Sequence, residues 1–189
     1  MTAALSDFPP SGAWTTDDLE AMPEDGLRRE LLDGVLLVSP SPTNIHQIIA
    51  GRLMVALEAN CPLDKQVTQA VDIRLDARRS FCPDVLVITS DAARRTGRLY
   101  APHEVVLAVE IVSPTSQSMD RITKPALFAG AGIPYYWRIE TEDEIVVHTY
   151  RIDPVHEIYE PAGTFRDVID TPQPWAIEIP ISKLTPRDF

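Results

Sequence analysis

The stretch that decides the fold is FCPDVLVI (residues 81–88), together with its apolar counterpart VVLAVEIV (residues 105–112). Both runs are rich in β-branched and other apolar residues, which favours buried β-strands. Near-continuous apolar strands are typical of a sheet that is covered on both faces. Each run nevertheless contains one carboxylate, Asp84 in the first and Glu110 in the second.

Outward from these strands, the spacing of apolar residues predicts both helices and strands. An Asp33-Gly34 hairpin joins two short strands, and residues 43–60 have the period of an amphipathic helix. A helix near residues 119–129 contains Pro125, which is harmless only in a first turn. Further strands are predicted at 65–75, 135–139, 144–150, 156–160 and 176–179. The chain is therefore predicted to be α+β (mixed α/β), with a sheet at its centre.

The length and composition indicate one soluble globular domain. The chain has 189 residues, of which 44% are hydrophobic and 24% charged. We predict a single domain over residues 15–189, preceded by an N-terminal extension over residues 1–14. No apolar run reaches the ~18 residues that cross a bilayer, and residues 1–10 do not resemble a secretion signal. Two cysteines are too few for a disulfide framework, so we expect a cytoplasmic protein with no membrane partner.

The net charge weighs against a protein surface that binds nucleic acid without sequence preference. Lys and Arg number 17 and Asp and Glu number 28, which gives −11. Sequence-independent affinity for nucleic acid comes mainly from neutralising phosphates. A local basic groove around an acidic, metal-binding centre remains compatible with this charge.

Several common catalytic motifs are absent from the sequence. It contains no GxGxxG, no GxxxxGK[ST], no GxSxG and no HExxH, and its four histidines lack metal-ligand spacing. These absences disfavour a Rossmann-type dehydrogenase, a P-loop enzyme, an elbow-type serine hydrolase and a zincin.

The two carboxylates inside apolar strands are therefore the main candidates for functional residues. A carboxylate in a buried strand is costly unless it is paired, protonated or bound to a metal. If Asp84 and Glu110 lie on neighbouring strands, they could converge on one hard cation such as Mg²⁺. The alternative is that one or both face solvent at a strand end or pair with an arginine.

Several short motifs occur in a characteristic order. They are ELLDG (30–34), SPSP (39–42) followed by His46, PDV (83–85), VEIVSPTS (109–116), Asp120 with Lys124, and GIPYYW (132–137). Together they resemble the Uma-type restriction endonuclease family, formerly a domain of unknown function, within the PD-(D/E)XK nuclease superfamily. The resemblance extends from about residue 15 to residue 139.

The resemblance implies a restriction-endonuclease-like core, with a central mixed β-sheet flanked by helices and a β-rich C-terminal tail. It also implies a Mg²⁺-dependent endonuclease that hydrolyses phosphodiester bonds of nucleic acid, with DNA the expected substrate. By the same resemblance, Asp84 and Glu110 bind the Mg²⁺ ion, for which Mn²⁺ can substitute. The backbone carbonyl of Ile111 assists them.

One position departs from the superfamily motif. The motif lysine would stand at position 112, where this sequence has Val112. The family pattern instead places a lysine on the following helix, and Lys124 matches it, so we expect Lys124 to position the attacking water. The alternative is an ordinary i,i+4 ion pair between Lys124 and Asp120.

Two further residues match the family. Glu30 matches its early glutamate and would complete the acidic cluster; the alternative is a hairpin glutamate paired with Arg28 or Arg29. His46 would contact a substrate phosphate or support the cluster; the alternative is a solvent-facing helix histidine. The aromatic residues Tyr136 and Trp137 fit a core better than a base-stacking platform.

Two rival functions follow from the same residues. Val112 in place of lysine, with Pro125 next to the substitute, suits an inactive nuclease-fold module for binding or assembly. The acidic surface suits a metal-dependent hydrolase of a smaller phosphate ester. Superfamily nucleases often act as dimers, and we predict a homodimer, with a sheet edge at residues 145–150 as the pairing surface.

Overall fold

The structure is a computed structural model, and it describes residues 13–23, 25–95 and 99–187. Residues 1–12 of the predicted N-terminal extension lie outside this range. The helices and strands, in chain order, are α1 (Thr16–Glu20), β1 (Arg28–Leu32), β2 (Val35–Ser39), α2 (Asn44–Glu58), β3 (Lys65–Gln69), β4 (Asp72–Asp76), β5 (Arg79–Phe81), β6 (Val85–Thr89), α3 (Ser90–Ala93), β7 (Leu99–Tyr100), β8 (Val105–Ile111), α4 (Lys124–Gly130), β9 (Tyr135–Glu140), β10 (Val146–Asp153), β11 (Ile158–Phe165), β12 (Val168–Thr171) and β13 (Ile177–Pro180).

The strands form two main sheets and a two-stranded ribbon. The central six-stranded sheet has the order β11-β10-β9-β8-β6-β3 and is mixed, because β8 and β9 are parallel while its other pairs are antiparallel. A five-stranded sheet has the order β2-β1-β5-β4-β7, and β12 pairs with β13 in the ribbon. The prediction of an α+β fold with a central mixed sheet and a β-rich C-terminal tail is confirmed.

The two faces of the central sheet pack against different partners. One face belongs to a core shared with α2 and the ribbon, and its buried side chains include Val85, Val87, Leu107 and Val109. The opposite face belongs to a second core shared with α4 and the five-stranded sheet, and its side chains include Leu86, Ile88 and Ala108. Because side chains alternate along a strand, the second face is also the one that Glu110 occupies.

Two predicted strands are wrong as single elements. The run 65–75 divides into β3 and β4, which lie in different sheets, because the chain turns at Ala70 with a left-handed φ of 53°. The run 81–88 divides into β5 and β6 around Cys82-Pro83-Asp84, where Pro83 has no N–H to donate to a ladder. This break carries the chain from the five-stranded sheet to the central sheet and places Asp84 between them.

The predicted pairing edge is also wrong. Residues 146–150 belong to β10, which is bonded to β9 on one side and to β11 on the other, so its backbone is not available to a second subunit. The ribbon strand β12 was not predicted at all. The homodimer stays a prediction.

The helix after β8 begins at a residue that leaves Pro125 in its first turn. A π-helical turn covers Met119–Thr123, and α4 follows from Lys124, so that Pro125 lies in the first turn. Its missing N–H costs nothing there. Among the described residues, no helix is long and apolar enough to span a membrane.

A substitution at Phe128 tests how much the second core contributes to stability. Its side chain is fully buried, and its ring lies edge-on to Phe81 at a centroid distance of 5.8 Å. We expect Phe128→Ala to lower the free energy of unfolding by about 3–5 kcal/mol, because it removes a large buried ring and leaves a cavity. Urea denaturation followed by circular dichroism measures this.

Ile122→Ala is the control for Phe128→Ala. Ile122 is 70% exposed in the preceding turn, so its truncation should change the free energy of unfolding by less than about 0.5 kcal/mol. Equal effects of the two substitutions would contradict this assignment of the core.

Candidate active site

The candidate site lies where the two sheets meet, and strand register brings its two central carboxylates to one face. Val85 pairs with Val109 and Leu86 with Ala108. One further step of the same register places Asp84 beside Glu110, and the N–H of Asp84 donates to the carbonyl of Val109 at 3.1 Å. Both side chains are almost fully buried, with 8% of Asp84 and 1% of Glu110 exposed.

Asp84 is held by three donors. Arg28 Nη1 donates to Oδ1 at 2.8 Å, and the N–H of Ile111 donates to Oδ2 at 2.8 Å. His46 Nε2 lies 3.0 Å from Oδ2. Because an ionised carboxylate only accepts hydrogen bonds, this nitrogen of His46 carries a proton.

These donors determine the charge of Asp84. Burial by itself would raise its pKa, but the hydrogen bond from His46, the charge of Arg28 and the N–H of Ile111 together lower the pKa to about 2. Asp84 is therefore an anion at neutral pH, as a metal ligand must be.

Lys124 is the centre of the second half of the site. Its ammonium Nζ lies 2.9 Å from Glu110 Oε1, 3.0 Å from Glu30 Oε1 and 3.6 Å from Asp120 Oδ1. Only 3% of Lys124 is exposed. Glu30 Oε1 also accepts the N–H of Cys82 at 3.0 Å, which fixes Glu30 to the break that carries Asp84.

Burial and neighbouring charge shift the pKa values around Lys124. Burial would lower the pKa of Lys124, but Glu110, Glu30 and Asp120 outweigh this and raise it, so the ammonium keeps its proton at neutral pH. Burial raises the pKa of Glu110 well above its ordinary range; Lys124 opposes this increase, whereas Asp84 reinforces it. Burial also raises the pKa of Asp120.

The charges at this junction do not balance. The acidic residues of the junction, here called the carboxylate cluster, are Glu30, Asp84, Glu110 and Asp120, and all four are buried. They contact two side chains that stay cationic, Arg28 and Lys124. With every carboxylate ionised and His46 neutral, two negative charges remain uncompensated, which a divalent cation or added protons would neutralise.

The donor set suits a hard cation that keeps much of its water. Within the described residues, no three His, Cys, Asp or Glu side chains are grouped so as to hold a metal ion by themselves. Mg²⁺ needs only one or two protein carboxylates and completes its shell with water and substrate oxygens. Asp84 and Glu110 therefore fit Mg²⁺ better than a metal that requires a full protein cage.

An open cavity of about 580 Å³ leads to Asp84. Side chains that can donate hydrogen bonds to a phosphate line it, and they include Arg28, Arg29, His46, Gln47 and Gln69. Glu110 and Lys124 are not among its lining residues and are less exposed than Asp84. A ligand entering from solvent therefore meets Asp84, Arg28 and His46 first.

The structure brings the residues proposed from the sequence into one connected network. Lys124 contacts both Glu30 and Glu110. Asp84 forms hydrogen bonds with the N–H of Ile111 and with His46. The solvent-facing alternative for His46 is wrong, because its side chain is 12% exposed and its ring contacts Asp84. It is the N–H of Ile111 that makes the observed contact, and the metal-binding role of its carbonyl stays a prediction.

Some of the ion pairs that were the alternatives to functional roles are also present in the structure. Asp84 does pair with an arginine, Arg28, and Glu30 Oε1 lies 3.8 Å from the same guanidinium. Lys124 does lie near Asp120, but its shorter contacts are to Glu110 and Glu30. These pairings make one shared cluster instead of separate surface ion pairs.

Sequence reasoning did not assign a site role to Arg28 or Asp120. The i,i+4 spacing of Asp120 and Lys124 was a usable signal for Asp120. Arg28 adjoins the ELLDG motif but is 56 residues from Asp84 in sequence, and no local pattern reveals that pairing. Tyr136 and Trp137 are buried, which confirms their prediction as core aromatics.

Comparisons with known proteins place this geometry in context. Residues 16–180 match the model of the Uma2 family, described as "Putative restriction endonuclease". A crystal structure of a putative nuclease belonging to DUF820 from Anabaena variabilis ATCC 29413 superposes with a TM-score of 0.70 at 20% sequence identity, covering 90% of this chain and 96% of that one. No curated protein matches the sequence.

The Lys124 network makes a prediction about stability. Lys124→Met keeps the length of the side chain but leaves Glu30, Glu110 and Asp120 without their shared cation. We expect the free energy of unfolding to fall by about 3–5 kcal/mol, as for other broken buried ion pairs. Urea denaturation in EDTA measures it.

A double variant isolates the Lys124–Glu110 contact. Lys124→Met with Glu110→Gln should be less destabilised than the sum of the two single variants, by about 1 kcal/mol or more, because neither buried charge is left without the other. Additive effects would contradict a direct interaction between these side chains.

Proposed function

Because the chain belongs to the Uma2 family, we propose that it is a divalent-cation-dependent endonuclease that hydrolyses phosphodiester bonds of nucleic acid, with DNA the expected substrate. The observation that carries this proposal is the buried lysine ammonium 2.9 Å from Glu110 Oε1, in a cluster that also includes Asp84. Two adjacent carboxylates and one amine are the side chains that such hydrolysis requires.

The cation in this proposal is Mg²⁺, for which Mn²⁺ can substitute. Asp84 and Glu110 would hold it, with help from the carbonyl of Ile111. Bound there, a divalent cation supplies Lewis acidity toward a phosphate oxygen and lowers the pKa of a water molecule.

Lys124 acts in this proposal as a hydrogen-bond donor and a positive charge. Its raised pKa makes it a poor general base at neutral pH. An ammonium donates hydrogen bonds, so Lys124 can orient the lone pairs of the attacking water and offset the charge that develops on the phosphate. Water adds to phosphorus and gives up one proton to the solvent, while the P–O bond to the leaving group breaks and the leaving oxygen takes a proton from the solvent, which yields one phosphate end and one hydroxyl end.

Glu30 and His46 position the groups that react. Glu30 forms an ion pair with Lys124 and accepts a hydrogen bond from the N–H of Cys82, and so fixes the ammonium relative to the break at residues 82–84. His46 donates through Nε2 to Asp84 and lines the cavity. Its other ring nitrogen, Nδ1, is buried and has no hydrogen-bond partner among the residues that the structure describes.

A hydrolase of smaller phosphate esters is a second candidate. The cavity of about 580 Å³ is of the size that holds a small ligand, and a net charge of −11 opposes the approach of long duplex DNA. A dinucleotide assayed beside a plasmid distinguishes the two. Faster turnover of the dinucleotide, judged by kcat/KM, would favour the second candidate.

The first test of function is cleavage of plasmid DNA with Mg²⁺ or Mn²⁺. We expect Asp84→Asn, Glu110→Gln and Lys124→Met each to lower the rate by about 10²-fold or more, because each removes a ligand or the charge that the reaction requires. Gel electrophoresis of the products measures it, with circular dichroism to verify folding.

Asp170→Asn is the control for cleavage. It makes the same chemical change as Asp84→Asn but at an exposed position on β12, in the ribbon. Its rate should equal that of the wild type. Cleavage that persists unchanged in Asp84→Asn would show that the activity arises from another site or a contaminant.

A measurement of metal binding distinguishes an active enzyme from an inactive nuclease-fold module. We expect calorimetry to detect Mn²⁺ binding to the wild type at millimolar concentration or below, and Asp84→Asn to abolish it, because the binding carboxylate is lost. Failure of the folded wild type to bind Mn²⁺ or Mg²⁺ would favour a nuclease-fold module that binds without catalysis.

A further inference from the structure

Arg28 covers the carboxylate cluster on its solvent side. Nη1 donates to Asp84 Oδ1 at 2.8 Å, and Nη2 donates to the carbonyl of Cys82 and lies 3.8 Å from Glu30 Oε1. The arginine side chain is 26% exposed, whereas those of Asp84 and Glu30 are 5% and 7% exposed. A guanidinium therefore lies at the cavity wall beside Asp84 and is more exposed than either acid that it contacts.

The oxygens that Arg28 occupies are ligands of the kind that a hard cation prefers. Carboxylate and backbone carbonyl oxygens are the common protein ligands of such ions. A guanidinium and a divalent cation cannot both take Asp84 Oδ1 without close repulsion between like charges. Arg28 is thus a cation paired directly with Asp84 Oδ1, and it competes for the position that the proposed metal needs.

On the basis of the proposed function, we propose that Arg28 is a substrate-binding residue with two successive partners. It neutralises Asp84 until a divalent cation binds, and it then binds a phosphate group of the nucleic acid in the cavity. Arginine suits both tasks, because its planar fork matches carboxylate and phosphate alike. Arg28 lines the same cavity as His46, so a modest rotation of its long side chain exchanges one anion for the other.

The neighbouring arginine is not equivalent. Arg29 lines the same cavity, but its guanidinium makes paired hydrogen bonds to Asp25 at 2.7 and 2.5 Å. Arg29 therefore provides a matched control: it has the same chemistry and the next position on β1, but it is bonded to a different carboxylate.

The test compares Arg28→Met with Arg29→Met. Calorimetry should show Mn²⁺ binding to Arg28→Met about tenfold more tightly than to the wild type, because a competing positive charge is gone. Affinity for a labelled DNA duplex, measured by anisotropy with Ca²⁺ in place of Mg²⁺, should fall about tenfold, and the salt slope should become less steep by about one. Arg29→Met should keep the Mn²⁺ affinity of the wild type within about twofold.

Thermal unfolding with and without Mn²⁺ gives a second measurement. The rise in melting temperature caused by saturating Mn²⁺ should be larger in Arg28→Met than in the wild type, since binding stabilises the folded state in proportion to affinity. If the metal-free variant does not fold, its refolding on addition of Mn²⁺ supports the proposal, and failure to refold overturns it.

The outcomes distinguish this proposal from the proposed function. Unchanged or weaker Mn²⁺ binding in Arg28→Met overturns the role of Arg28, while metal binding and cleavage by the wild type still support the nuclease. Unchanged DNA affinity in Arg28→Met overturns the phosphate contact. A wild type that neither binds Mn²⁺ nor cleaves DNA overturns the proposed function itself, and the role of Arg28 with it.

Discussion

The buried ion pair between Lys124 and Glu110 is the interaction on which the rest of the site depends. Four carboxylates share the junction of two sheets, and their mutual repulsion in a poorly solvated place would be costly without cations among them. Lys124 contacts three of these carboxylates from the inside, and Arg28 contacts Asp84 from the cavity. These two cations offset part of the repulsion within the cluster.

The architecture explains how such a cluster is built. Pro83 cannot donate to a ladder and lies between β5 and β6, so the chain crosses from one sheet to the other at the residue before Asp84. The π-helical turn at Met119–Thr123 precedes α4 and places Lys124 against β8. Turns of this kind are frequent at functional sites. The local irregularities of the backbone therefore coincide with the charged side chains.

Much of the fold could be predicted from the sequence, because periodicity is a local signal. The hairpin, α2 and the place of Pro125 in the first turn of α4 follow from turn residues, apolar spacing and the proline itself. The breaks at Ala70 and Pro83 could not be predicted, because a strand-like alternation continues past Ala70 and an apolar run past Pro83. Tertiary packing decides where a strand changes sheets. The site was predicted where short motifs carry it, whereas the Arg28–Asp84 pair joins residues 56 positions apart and leaves no local trace.

The crossing at residues 82–84 also has a consequence for biosynthesis. Glu30 and Asp84 leave the ribosome before Glu110, and Lys124 follows still later, so a nascent chain that ends before α4 lacks the inner cation. The acids gathered so far would repel one another, and the junction of the sheets would stay loosely packed. The inner cation therefore joins the cluster only when synthesis reaches α4, while β9–β13 are still to follow.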